Sequence, residues 1–183
     1  ATPMIVVLNG YPGTGKLTIA QELEQMIKAR LLAIHTTHNL AFALTEFRSD
    51  AFYDTVNAVE ALAHALVKSL PDDVPVILTT VLAGDSARAT AEWAKLAALG
   101  QDRPPFHVVH ITCDLDEYLR RVAGESRRGA RKPRDPAYVH RNHGEAKPLL
   151  GHDAPHLLEL DTTHLTPEVS AARIATWLAG YNP

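Results

Sequence analysis

The sequence predicts an α/β protein of three layers, a five-stranded parallel sheet with helices on both faces. Short β-branched or apolar runs alternate with longer helical patterns along the chain. The runs are apolar within and polar or glycine-containing just beyond their carboxyl ends, at residues 10–18, 35–39, 82–85, 113–114 and 161–164. Ligands of open parallel sheets bind at those ends. With 183 residues, 46% of them hydrophobic and 21% charged, the chain suffices for a single domain, 1–183, with a sizeable core.

The elements follow in order. A strand at 4–9 runs into a glycine-rich turn, and a helix at 16–29 follows. A strand at 31–35 leads to a short helix at 39–45 and a longer one at 53–70, stopped by Pro71-Asp72-Asp73. The run 76–82 is the third strand, and the alanine-rich stretch 86–99 is a helix with a close-packing face. Pro104-Pro105 then breaks the chain before the strand at 106–112. Asp114 is placed to cap a helix at 115–124, and a further helix is expected at 135–147. The strand at 157–161 precedes a last helix at 167–178, opened by Thr166 as N-cap with Pro167 in its first turn.

A net charge of −3 gives no reason to expect a nucleic-acid or anionic-membrane partner. The single Cys113 excludes an internal disulfide and suits a reducing compartment, and no run of 18 apolar residues occurs. A soluble cytoplasmic domain, monomer or homodimer, is the expectation.

The strongest signal is Gly10-Tyr11-Pro12-Gly13-Thr14-Gly15-Lys16, between the first strand and its helix. Glycines at this spacing let the backbone wrap an anion with its N–H groups turned inward, and the helix start adds unpaired N–H groups. Lys16 is placed to reach the β- and γ-phosphates of a nucleotide. The next residue is Leu17, where a hydroxyl would ligate Mg²⁺, and the first hydroxyl comes at Thr18. Magnesium is therefore expected through waters, nucleotide oxygens and a distant acid, Asp85 being the nearest one after the third strand.

A second signal is the basic run from Arg120 to Arg134, which holds six of the chain's twelve arginines in 15 residues. Phosphoryl transfer relies on positioning and on neutralising charge, work that suits the planar guanidinium. The run reads as an Arg-rich lid at about 120–135, hinged at Gly124 and Gly129. Arg121 lies at the helix end nearest the nucleotide, and Arg127, Arg128 and Arg131 are the transition-state contacts expected.

The glycine-rich loop, the five strands, the Arg-rich run and the Asp161-Thr162-Thr163 segment before Pro167-Glu168 resemble the P-loop small-molecule kinases. That family includes adenylate, shikimate and gluconate kinases and the chloramphenicol and tunicamycin resistance phosphotransferases. The resemblance implies a P-loop NTPase fold with strand order 2-3-1-4-5, and ATP with Mg²⁺ as the phosphoryl donor. It places the nucleotide on residues 10–18, with Thr18 on the α- or β-phosphate, and adenine near Thr162, Thr163 and His164. It places a small-molecule acceptor between the second and third strands and the helical segment that follows the second.

Shikimate-like members carry an aspartate just after the second strand as proton acceptor, whereas this chain reads His35-Thr36-Thr37-His38-Asn39. His35 can serve as base. Alternatively, His35, Thr36, His38 and Asn39 can hydrogen-bond an acceptor without proton chemistry. Arg48 can clamp an acceptor anion or pair with a surface acid. Asp85 is a candidate for orienting acceptor or metal waters, or for capping the next helix. The reading is an ATP-dependent phosphotransferase for a small hydroxylated or phosphorylated metabolite or antibiotic. The alternative is a nucleotide-binding or hydrolysing switch with no small acceptor.

Overall fold

The computed structural model describes residues 3–124 and 147–183. Five strands, β1 (Ile5–Asn9), β2 (Arg30–Leu32), β3 (Val76–Thr80), β4 (Phe106–Thr112) and β5 (Leu157–Asp161), form one parallel sheet. Its order is β2-β3-β1-β4-β5, as the resemblance implies. Among the described residues the helices are α1 (Lys16–Ile27), α2 (Ile34–Leu44), α3 (Asp50–Lys68), α4 (Ala87–Asp102), α5 (Leu115–Ala123) and, after β5, α6 (Pro167–Ala179).

Every residue of β1 is buried, because this central strand is covered on both faces. Its side chains alternate between two cores. Val6 and Leu8 pack with Ile19 and Leu23 of α1 and with Ile174 and Leu178 of α6. Ile5 and Val7 pack with Val67 of α3 and Leu96 and Leu99 of α4. The two cores fix the sheet between helix layers and leave the carboxyl ends of the strands as its polar edge.

The caps seen in the sequence form. The Asp114 carboxylate accepts from the Glu117 N–H at 2.8 Å, and the Thr166 hydroxyl accepts from the Val169 N–H at 3.2 Å. The second strand and its helix differ from expectation. β2 pairs with β3 over three residues only, and α2 begins at Ile34 rather than at residue 39. Its N-cap, Ala33, has no side-chain acceptor to offer. Instead, the Ile34 N–H donates to the Thr79 hydroxyl of β3 at 3.1 Å, so the helix start is satisfied from the neighbouring strand. His35 therefore sits in the first turn of α2, not at a strand end. β3 likewise stops at Thr80, because the Leu82 N–H turns to the Asn9 side chain. The expected lid, with Arg127, Arg128 and Arg131, and nearly all of the helix expected at 135–147 lie outside the described residues.

Candidate functional site

The loop after β1 has the backbone that its glycines predict. Gly13 and Gly15 adopt left-handed φ of 96° and 88°, a region costly for any residue with a Cβ. Gly10 is needed for a different reason, since a Cβ there would lie 2.5 Å from the Ile111 carbonyl oxygen of β4. The loop is thus pressed directly onto the sheet. No side chain caps the start of α1, so its first N–H groups face the cleft with the positive end of the helix dipole. That fits an anion such as a phosphate.

Lys16 is buried and folds back over the loop. Its ammonium donates to the Gly10 carbonyl at 2.8 Å, the Tyr11 carbonyl at 2.9 Å and, more weakly, the Thr14 hydroxyl at 3.4 Å. These are neutral acceptors, and a nucleotide phosphate is a stronger partner for the same charge. Leu17 lines the cleft and Thr18 is exposed beside it. β3 ends in Thr79 and Thr80, with no carboxylate. Among the described residues no cluster of three metal-binding side chains occurs.

Arg121 is the central brace. Its guanidinium donates to the Thr14 carbonyl of the loop at 2.8 Å, and to the Thr162 hydroxyl at 2.9 Å and carbonyl at 2.7 Å beyond β5. It also pairs with Glu117 at 2.7 Å. The hydrogen bond from Arg120, more than that from Arg121, holds the Glu117 carboxyl down at about 2. The segment after β5 is knitted further by Asp161, which accepts from both the Thr163 hydroxyl at 2.6 Å and the Thr163 N–H at 2.9 Å. Those bonds hold the Asp161 carboxyl below its ordinary value. Thr162, Thr163 and His164 consequently form one wall of the cleft next to the loop.

Two contacts that the sequence did not disclose complete the frame. The buried Asn9 amide donates to the carbonyls of Leu82 at 2.8 Å and Leu150 at 3.0 Å. It joins the ends of β1 and β3 to the segment before β5. The Tyr11 hydroxyl donates to the Lys147 carbonyl. An asparagine ending a strand and a tyrosine in a turn have too many structural uses for either role to be read from residue type.

The cleft has a volume of about 1090 Å³ and runs from the loop to α2. At its far end stand His35, His38, Phe42, Phe47, Arg48 and Val81. His38 is held by the Ile34 carbonyl, 2.9 Å from its Nδ1. A carbonyl only accepts, so Nδ1 carries the proton and Nε2 keeps a lone pair. Burial lowers the pKa of His38, which keeps the ring neutral near pH 7. The remaining expected acceptor residues are not gathered there. Thr36, Asn39 and Asp85 are exposed and do not line the cleft, and the cap of α4 is Ser86, whose hydroxyl accepts from the Ala89 N–H at 3.1 Å.

Behind His38 lies a smaller cavity of about 240 Å³ between β3, α2, α3 and α4. Glu60 and Glu92 face it, joined through Lys95 at 3.1 and 2.8 Å. Burial, and then the neighbouring Glu92, push the Glu60 carboxyl up to about 7.

Comparison with known proteins places this geometry. No curated protein matches the chain. Among solved structures, a sugar kinase from Janibacter sp. HTCC2649 superposes with a TM-score of 0.62 at 19% identity, covering 97% of this chain and 95% of that one. The APS kinase of Mycobacterium tuberculosis, in complex with AMPPNP and APS, gives 0.61 at 18% identity over 98% and 99% of the two chains. Shikimate kinase from Acinetobacter baumannii, in complex with shikimate, gives 0.60 at 15% identity over 98% and 94%. These near full-length superpositions, with this chain's own β2-β3-β1-β4-β5 order and glycine-rich loop, give it the P-loop fold. Residues 6–143 match the AAA domain family, and with three quarters of its length so matched the chain belongs to that family.

Proposed function

We propose that this chain is an ATP-dependent phosphotransferase acting on a small hydroxylated acceptor. The observation that carries the reading is the continuous cleft from Lys16 to Arg48. Its volume of about 1090 Å³ lies just above the roughly 300–1,000 Å³ usual for one ligand, so donor and acceptor fit side by side. A nucleotide switch has no need of the second half.

The donor phosphates lie on the N–H groups of residues 13–18, and Lys16 exchanges its loop carbonyls for the β- and γ-phosphate oxygens. The nucleoside lies toward Thr162, Thr163 and His164, in the frame that Arg121 braces. The acceptor lies against α2. Its hydroxyl oxygen forms a bond to the γ-phosphorus, and the bond from that phosphorus to the β,γ-bridging oxygen breaks with its electron pair leaving on ADP. The hydroxyl proton passes to Nε2 of His38, whose other nitrogen is fixed by Ile34. His35, one helical turn earlier, orients the acceptor. Divalent metal would shield the triphosphate charge. Leu17 offers it no ligand, and no step here depends on a protein–metal bond.

The test is a calorimetric titration of ATP, ADP and GTP into wild type and Lys16→Ala, followed by ADP release across a panel of acceptors. Adenine-nucleotide binding that is lost in Lys16→Ala, with acceptor-dependent ADP release, supports the reading. ATP turnover that no acceptor accelerates favours a switch, and no nucleotide binding at all refutes both.

A further inference from the structure

The acceptor end of the cleft has an unusual chemistry for a site that phosphorylates hydroxyl groups. Polyols and aminocyclitols carry many hydrogen-bonding groups, and each one buried without a partner costs affinity. Sites for such ligands therefore offer several carboxylates and amides. Among the described residues, the only acid that lines the cleft is Glu117, which is held by Arg120 and Arg121 on the nucleotide side.

Beside His35, His38, Thr79 and Val81, this end of the cleft is lined by two phenylalanine rings. The Phe42 and Phe47 rings lie 5.6 Å apart, and Phe52 backs both, at 5.1 and 5.3 Å. His38 closes the group 6.4 Å from Phe42. Phe47 is 58% exposed and Val81 36%, so apolar surface remains open at the mouth. Phe52 and Tyr53 hold the cluster from α3 in edge-on contact with each other, so the rings are braced from behind.

One cation is set into this apolar surface. The Arg48 guanidinium lies 5.0 Å from the Phe47 ring centroid and makes no ion pair among the described residues, although Glu46 and Asp50 are close in sequence. Its backbone holds a left-handed φ of 66°, a conformation that persists in a non-glycine residue only when its surroundings impose it. An arginine stacked on a ring presents its N–H edge to an anion while the ring screens its face from water.

We propose that the acceptor is an aryl compound with one hydroxyl to be phosphorylated and one anionic group, carboxylate or phosphate, and not a polyol or a cationic aminocyclitol. Its ring packs on Phe42 and Phe47, its anion bonds Arg48, and its hydroxyl is presented at His38. This assignment rests on the phosphotransferase reading and narrows it to a substrate class.

The experiment measures binding by saturation-transfer NMR and calorimetry, on the whole chain with and without AMPPNP. The probes are 4-(hydroxymethyl)benzoate, 4-(hydroxymethyl)phenyl phosphate, neutral benzyl alcohol, gluconate and kanamycin. The two anionic aryl probes bind, and the tighter one identifies the anion. Benzyl alcohol binds about tenfold more weakly, and gluconate and kanamycin do not compete. Arg48→Met brings the anionic probes down to the benzyl alcohol level, whereas Phe47→Ala weakens all three aryl probes alike. Gluconate or kanamycin binding above the aryl probes overturns the proposal. So does AMPPNP binding without any aryl binding, which leaves the phosphotransferase reading intact. Absence of AMPPNP binding removes that reading itself.

Discussion

Replacing Arg121 by lysine keeps the charge and removes the fork, and so asks whether the brace depends on geometry. The guanidinium makes three hydrogen bonds to Thr14 and Thr162 and one to Glu117, with only 17% of the side chain exposed. A single ammonium cannot span acceptors on two segments and a carboxylate on its own helix, so about two of the four contacts are lost. Hydrogen bonds to charged groups contribute about 1.5–3 kcal/mol each, and the lower value suits a partly solvated site. The expected loss is about 3 kcal/mol, or a melting temperature lower by about 6–12 °C for a domain of this size. Because the same contacts fix the Thr14 carbonyl in the phosphate loop, ATP affinity should fall about tenfold as well. Calorimetric melting with and without AMPPNP, together with nucleotide titration, reads both effects. An Arg121→Lys protein that melts within 2 °C of wild type and binds ATP equally well would show that charge alone suffices, and the brace argument would fail.

Gly10→Ala brings a methyl group within 2.5 Å of the Ile111 carbonyl, a clash the sheet backbone cannot yield to. The soluble yield and melting temperature should both drop sharply, and a near-native melt would show that the loop is not pressed onto β4. His38→Gln should lower kcat about 10²–10³-fold once an acceptor is found. In wild type kcat/KM should be level at neutral pH and fall only below pH 6.5, because burial lowers this histidine's pKa and a protonated ring cannot accept the acceptor's proton. His107 predicts a stability change with pH. It is buried against His156, Trp177 and Tyr181, and burial brings its pKa down to about 4. The unfolded chain takes up this proton near pH 6.5 and the folded one does not, so stability falls as pH drops from 6.5 to 4, by about 3 kcal/mol in full. Urea unfolding of His107→Phe across that range should show a shallower dependence, and an identical slope would rule His107 out.

The parts of the fold legible in the sequence are those whose signal is local. Glycines at 10, 13 and 15 after an apolar run imply the loop without knowledge of anything else, and Asp114 and Thr166 announce their helices because a cap acts three residues away. The acceptor side was harder to read because its causes are distant in sequence. α2 starts where it does because Thr79, 45 residues away, accepts its first N–H, and that shift carried Thr36 and Asn39 to the exposed surface. His38 gained its fixed tautomer from the same early start, since Ile34 then lies one turn before it. Arg121 donates to the loop at Thr14, but its service as a brace depends on Thr162, 41 residues on, which no local pattern announces. Phe42 and Phe47 carry no local signal in the sequence, and only the fold sets them at the mouth of the cleft, backed by the buried Phe52.

The two anchors on the loop have a consequence for how the chain can vary. Arg121 ties the segment leading to Gly124 to Thr14, and Tyr11 ties the segment resuming at Lys147 to the same loop. A substitution that displaces the backbone of Tyr11 or Thr14 therefore reaches the end of α5 and the segment at Lys147 as well as the phosphate cradle, so the loop sets how much change its two neighbours tolerate.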